Sequence, residues 1–585
     1  MYTSRRTLIA TLAFAGTLSL ATLAEAANYP LEITQPQPNL DTLNRFYKAY
    51  PGLAYQVRLS TIGGAYPYHY ALGTAPSGMT IDANTGAISW ANPTEGGTPH
   101  QVQATVTDGE GSTHSVTWTI TVTTQGFRFV DAVNGHSVAD GGTGTLANPW
   151  RTINDWYEGN VYASKYAGSY VNEFLYWRAG VYSLADVYRE NVVAGVQPGR
   201  LPVNSVKKPV VWLAYPGEKP IIEHAYNGAA DSGPFIFFYG TSANVYIDGF
   251  EFRNMKCKGF EVGADGNNQT FRNLDMHHLQ YGEDGNNCAF IMTSTGTDPS
   301  NYMTIQNSSF HDNNLATGGA MIKIYAKHKL LIEDSSLHTV TGPGAADSEG
   351  IALKGGTMTR ATVRHNVVYD VPDRMIGGNQ HVLSDSEILF NCVSGNDTGA
   401  ALDINQDGLA TNLFYYRNTV RGRIRVQNTT TPNGPFRLYD NIFINSDPGT
   451  PSGSHVFYDQ VSDPSRVVLT NNLTGYPADG ILDANGNLSA SHQSYATTHG
   501  CQGANTFVGP MGPNGEPSEG SDGGVSDPPG GGAGVGSDPK EGGGASGNAA
   551  ESGCAAGGTM PRGLLPFGLL FGFVLPLLAR RRTKR

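Results

Sequence analysis

Thr304-Ile-Gln-Asn-Ser-Ser-Phe310 and Leu331-Ile-Glu-Asp-Ser-Ser-Leu337 are one phrase written twice, 27 residues apart. Each alternates apolar and polar residues over a short run and then turns at Asn or Asp. Related runs flank them on both sides: Tyr246-Ile-Asp-Gly-Phe-Glu-Phe252, Phe271-Arg-Asn-Leu-Asp-Met276, Thr362-Val-Arg-His-Asn-Val-Val368 and Ile388-Leu-Phe-Asn391. Tyr415-Tyr-Arg-Asn-Thr-Val420, Arg437-Leu-Tyr-Asp-Asn-Ile-Phe443 and Val468-Leu-Thr-Asn-Asn-Leu473 continue the series. Taking Gly249, Asn273, Asn307, Asp334, Asn366, Asn391, Asn418, Asn441 and Asn471 as anchors, the steps are 24, 34, 27, 32, 25, 27, 23 and 30 residues.

Short strands recurring at such a period, with insertions of varying length, define a solenoid. No coil can bury its apolar side chains alone, so the coils must stack. The expected fold is all-β: a right-handed parallel β-helix over residues 127–510. Asn at a repeated turn can stack from coil to coil, stay hydrogen-bonded and tolerate left-handed φ, ψ. A propeller needs longer blades of four strands each. The segment Phe127-Arg-Phe-Val-Asp131, with Gly144-Thr-Leu-Ala-Asn-Pro-Trp150, resembles the entry segment of many secreted β-helix proteins.

Residues 28–124 read as a second, smaller domain. Ala75-Pro-Ser-Gly-Met-Thr-Ile-Asp82, Asn84-Thr-Gly-Ala-Ile-Ser-Trp90, Val102–Thr107 before Asp108-Gly109, and Val116–Val122 are short alternating strands between turn signals. They predict an antiparallel sandwich. The pattern P-x-G-x-x-I-D-x-x-T-G-x-I-x-W with a later V-T-D resembles the immunoglobulin-like (cadherin-like) modules of bacterial surface proteins. Such a resemblance implies a spacer or adhesive unit, and no catalytic constellation is visible in it.

The ends suggest export. Arg5-Arg6, the apolar run Leu8–Leu23 and Ala24-Glu25-Ala26 form a secretory signal over residues 1–26. Residues 511–553 are Gly, Ser and Pro-rich and too polar to build a core, as expected of a flexible stalk. In residues 554–585, Cys554 precedes an uncharged stretch from Gly563 to Ala579 and a terminal Arg/Lys cluster. That tail resembles the MYXO-CTERM and GlyGly-CTERM sorting tails, which implies surface display with membrane contact only through the tail. A plain single-span anchor is the alternative. Charged residues are 15% and the net charge is −12, which argues against nucleic acid as a partner. Cys257, Cys288, Cys392 and Cys501 match no metal spacing and read as buried thiols or one or two disulfides. A monomer is expected.

In a parallel solenoid, outward side chains at one register lie about 4.8 Å apart on successive coils. They line a long groove suited to a chain-like ligand. The densest constellation is Asp347-Ser-Glu349-Gly-Ile-Ala-Leu-Lys354-Gly-Gly, with Arg374 one coil on. Two alternating carboxylates offer hard oxygen ligands for Ca2+, which in turn binds the carboxylate of a uronic acid. A Lys near cations can act as general base and an Arg can stabilise developing negative charge. This set suits β-elimination of an acidic polysaccharide.

These residues resemble polysaccharide lyase family 6, the alginate lyases and chondroitinase B, with its E-x-E-x-I-x-x-K segment and an Arg about one coil later. The resemblance implies Asp347 and Glu349 as calcium ligands, Lys354 as base and Arg374 as the acid or its stabiliser. It places Met321-Ile-Lys323-Ile324 on the upstream strand and Thr317 where the family carries an Asn calcium ligand. Asp for the first acid, and Pro372 just ahead of Arg374, depart from the pattern. Lys323, His365, Asn379, His381 and Asp403 are the expected substrate-binding residues, with His338 and Arg364 on nearby coils. Two other readings stand beside this one: glycoside hydrolysis by Asp403 and Asp407, and non-catalytic glycan adhesion.

Overall fold

The computed structural model describes residues 27–37, 44–96, 98–156, 174–183, 201–203, 210–223, 234–238, 245–255, 258–262, 267–279, 288–293, 300–314, 319–342, 345, 348–394, 400–406, 409–427, 434–444, 456–459 and 463–475. The signal, stalk and sorting tail, together with Thr317, Asp347, Asp407, Cys257 and Cys501, lie outside the described residues. The chain divides into two units, Met1–Pro529 and Gly530–Arg585, and every described residue belongs to the first. Among the described residues no helix is long and apolar enough to cross a membrane.

From Phe127 onward the chain coils into a parallel β-helix with three faces. Sheet 1 contains Lys258–Val262, Ala289–Thr293, Gly319–Ile324, the first part of Ser348–Thr359, the first part of Arg374–Leu389, Ala400–Gln406 and Arg423–Gln427. Sheet 2 contains Val245–Asp248, Gln269–Arg272, Ser300–Gln306, Lys327–Glu333, Thr362–Arg364, the end of Arg374–Leu389, Leu409–Tyr416 and Phe436–Tyr439. Sheet 3 contains Glu251–Arg253, Asp275–Leu279, Ser309–Asn314, Ser336–Thr341, Val367–Tyr369, Cys392–Ser394 and Thr419–Arg421. Ser348–Thr359 and Arg374–Leu389 run through the corner, so sheets 1 and 2 are continuous there.

Apolar ladders explain the stacking. Phe260, Ile291, Ile322, Ile351, Ile376, Leu402 and Ile424 are register partners on sheet 1. Ile247, Phe271, Ile305, Ile332, Val363, Ile388, Tyr415 and Leu438 line sheet 2. Phe252, Met276, Phe310, Leu337, Val368, Val393, Val420 and Phe443 line sheet 3. All three ladders meet in one core. Each buried side chain stabilises the fold by about 1.5–3 kcal/mol relative to exposure.

The turn between sheets 2 and 3 corrects the expected register. Its left-handed residues are Gly249, Asn273, Asn307, Asp334, His365, Phe390, Arg417, Asp440 and Asn471. In the later coils Asn366, Asn391, Asn418, Asn441 and Asn472 occupy the next position, where they are turned into the helix. Each of the first four donates its side-chain amide to the next Asn carbonyl oxygen, at 2.9–3.1 Å. The repeated Asn thus belongs to two adjacent ladders. One tolerates positive φ; the other satisfies buried backbone, as when Asn418 receives the Asn391 N–H at 3.0 Å.

The smaller domain is a sandwich, as its strands predict. One sheet orders Lys48–Ala49, Thr113–Val122, His100–Thr107 and His69–Leu72, and the facing sheet contains Tyr55–Arg58, Ala87–Trp90 and Met79–Ile81. It does not stand apart as a spacer. Its core is continuous with Phe127, Phe129, Phe174, Tyr176, Val211, Leu213 and Tyr246 of the β-helix. Further along sheet 2 the contacts turn polar. Arg58 pairs with Asp334 at 2.5 Å, Arg364 donates to the Tyr68 hydroxyl at 2.9 Å, and Lys329 meets Glu32 at 2.6 Å. Asn28 reaches Tyr439 at 2.8 Å. The module therefore covers the outer face of sheet 2. Cys288 and Cys392 are each disulfide-bonded.

Candidate functional site

Sheet 1 carries the predicted charges on its outer face. Arg374 begins its strand directly after Pro372-Asp373, so the proline precedes the strand rather than breaking it. Arg374 is the register partner of Glu349, and Asn379 that of Lys354. Two consecutive residues at the sheet's entry corner point inward in several coils: Phe290 and Ile291, Met321 and Ile322, Met375 and Ile376 all join the core. At the same place Gly350 is required, because a Cβ there would lie 2.5 Å from the Met375 carbonyl oxygen. This local step leaves Glu349 and Lys354 on the outer side of a strand whose Ile351 and Leu353 are buried.

Glu349 is the hub. Its Oε2 lies 2.9 Å from Lys354 Nζ and its Oε1 accepts from Arg374 Nη1 at 2.8 Å. Its side chain is only 4% exposed, against 18% for Lys354 and 14% for Arg374, so the cations face the solvent and the anion sits beneath them. Arg374 Nε is 3.1 Å from Asp403 Oδ2, which Arg425 also holds at 2.8 Å. Asp373 adds a contact to Arg374 at 3.3 Å. Burial alone would lower the Arg374 pKa, but Glu349 and then Asp373 carry it above the ordinary guanidinium value. Burial pushes the Asp403 carboxyl up, against the pull of Arg425 and Arg374. Burial, with Glu349 nearby, raises the Tyr325 phenol, and Lys323 lies over the Tyr325 ring at 5.8 Å.

The structure thus joins Glu349, Lys354, Arg374 and Asp403 into one network and puts Lys323 on the same face, at the register of Ala352. Asp403 departs from its expected role: with its side chain fully buried between two arginines, it holds Arg374 rather than meeting substrate. His381 is placed by its backbone opposite Gly356, further along toward the corner. His365 is not in the groove. It lies at the turn between sheets 2 and 3, against Tyr66 and Phe390 and beside Asp334, beneath the sandwich module. Arg364 is likewise buried on sheet 2 against Glu333, and His338 is on sheet 3. The reading from sequence missed Arg425 and Tyr325. Arg423-Ile-Arg425 carried the signal, an inward Ile between two outward arginines.

Glu349 is the one expected calcium ligand among the described residues, and both its oxygens already have cationic partners. A calcium ion on Glu349 would have to displace Lys354 or Arg374, so this part of the set does not fit the ion.

Residues 32–123 match the family model described as "Putative Ig domain". No curated protein matches the chain. Two solved structures are similar in outline. The family 28 exopolygalacturonase of Yersinia enterocolitica is 10% identical, with 77% of this chain and 99% of that chain covered and a TM-score of 0.29. The A-module of the Azotobacter vinelandii mannuronan C-5 epimerase AlgE4 is 16% identical, with 54% and 89% covered and a TM-score of 0.30.

Proposed function

We propose that the chain is an exported, surface-displayed enzyme that cleaves a uronate-containing polysaccharide by β-elimination on the outer face of sheet 1. One observation carries the reading: Lys354 and Arg374, from adjacent coils, are held on the two oxygens of a single buried carboxylate. Elimination beside a uronate carboxylate needs a base for the hydrogen on the neighbouring carbon and a fixed positive charge for the enolate that develops. Arg374, anchored by Glu349 and Asp403, supplies the charge. Lys354 is the base that takes the proton. The C–H electrons form the new double bond, the bond to the glycosidic oxygen breaks, and that oxygen leaves with the proton that Lys354 took; no water is consumed. Arg425 extends the positive face for a further uronate, with the buried Lys323 behind the same face.

The test is absorbance of the unsaturated product after incubation with alginate, pectate and chondroitin or dermatan sulfate, with calcium and with chelator. The expected outcome is a rising signal on one polymer, reduced about 100-fold or more in Lys354→Ala and in Arg374→Ala. Glu349→Gln, which releases both cations, should lower kcat more than it raises KM. Full activity in Lys354→Ala would refute the assignment. New reducing ends without absorbance would move it to hydrolysis, the reading built on Asp403 and Asp407, and silence on every polymer would move it to adhesion. The chelator arm tests calcium at Asp347 and Thr317.

A further inference from the structure

We propose that the outer face of sheet 3 holds a zinc-binding clip, formed by Glu251, Asp275, His277 and His311, that ties three consecutive coils together. It is independent of the sheet 1 site and of the reaction proposed there. Glu251, Asp275 and His277 each offer a ligand atom within 4.8 Å of the others. His277 Nε2 lies 3.3 Å from Glu251 Oε1, and His311 Nε2 lies 3.0 Å from Asp275 Oδ1. Tetrahedral zinc with bonds near 2.1 Å sets its ligand atoms about 3.4 Å apart, so these pairs already have the spacing of ligand edges.

The coil register produces this arrangement. Arg253, His277, His311 and His338 follow one another at one register, two residues beyond Glu251, Asp275, Ser309 and Ser336. The rings of His277 and His311 stack face to face at 4.9 Å and 7°, and each Nε2 reaches a carboxylate of the preceding coil, so holding one ion requires the two rings to tilt toward each other.

A second observation comes from behind the rings. His311 Nδ1 is 2.8 Å from Asp312 Oδ2, and His277 Nδ1 is 2.5 Å from His278 Nδ1. Asp312 and His278 both take left-handed backbone, with φ of 54° and 55°, which turns each side chain back onto the preceding imidazole. Imidazoles that ligate metals are held in this way, with the far nitrogen hydrogen-bonded so that Nε2 is presented to the ion.

The carboxylates keep their other oxygens for Lys219, which is 2.7 Å from Asp275 Oδ2 and 3.4 Å from Glu251 Oε2 and half-exposed. Arg253 lies 3.3 Å from Glu251 Oε1 and has a closer partner in Glu223 at 2.6 Å, to which it can withdraw. Two nitrogen and two oxygen donors suit zinc and not calcium or magnesium, which take oxygen ligands.

The experiment is calorimetric titration of Zn2+ into the chelator-stripped full chain, with thermal unfolding in parallel. One site is expected, with a midpoint of unfolding that rises with zinc. Affinity should fall by about tenfold or more in His277→Ala, in His311→Ala and in Asp312→Asn, the last acting only through the tautomer of His311. If the histidine variants fail to fold, Glu251→Gln keeps the shape and should weaken binding as well. Absence of zinc binding, or an affinity unchanged across these variants, would overturn the proposal.

Discussion

At the residue scale the histidines of sheet 3 carry opposite pH signatures. Burial, reinforced by His311, lowers the His338 imidazole from 6.5 to about 4. Its unfolded form binds a proton first, so its contribution is complete above pH 6.5 and is lost as pH falls toward 4. His311 behaves the other way. Burial would lower it, but Asp275 and Asp312 outweigh that and raise it, so its contribution is present below 6.5 and is lost as pH rises through its elevated value. The prediction is that His338→Phe flattens the acid limb of the stability curve between pH 6.5 and 4 by on the order of 1–3 kcal/mol. The alkaline limb should be unchanged. Urea midpoints at several pH values, measured in chelator, check it; an equal acid limb in both proteins would rule it out.

At the scale of the element, the unit that matters is the turn with its Asn. Asn418 donates to the Asn441 side chain and to the Ile388 carbonyl while accepting from the Asn391 backbone. Asn418→Ala leaves these groups buried and unpaired, with an expected loss of about 2–3 kcal/mol in urea denaturation. The same scale shows what could be read from the sequence. The coils were legible because every one must bury an apolar ladder, and Lys354 and Arg374 were legible because coil length brings Glu349 and Arg374 into register. The exact ladder position of each Asn was not, since Asn suits both a left-handed turn and a buried cap. Nor was the burial of Asp403 or the displacement of His365, which depend on what covers each face.

At the scale of the whole molecule, the sandwich module and the coils share one interface. Phe127, Phe129, Tyr176 and Tyr246 of the coils face outward and pack beneath the module. The resemblance to surface modules implied a spacer or adhesive unit; these outward aromatics make it a docked domain. Arg364 sits at this interface, paired with Glu333 Oε2 at 2.5 Å and with Tyr68. Arg364→Ala takes the cation from Oε2 of buried Glu333, whose Oε1 keeps Gln306 at 2.6 Å and Arg58 at 3.4 Å, so the expected cost is about 2–3 kcal/mol, read as a lower urea midpoint with unfolding still in one step. A change below 1 kcal/mol would show that the module contributes little to holding the coils.

The module's reach along sheet 2 also bears on how the chain assembles. A bare solenoid couples only nearest neighbours, so its ends can fray while its middle persists. Here the segment just ahead of Glu32–Gln35, the first described strand, is bonded to one of the last coils: Asn28 and Tyr439 are 411 residues apart in the chain. The N-terminal domain therefore waits, partly unclasped, until the far coils exist. When they do, closing that contact turns a row of locally coupled coils into a body that opens all together or not at all.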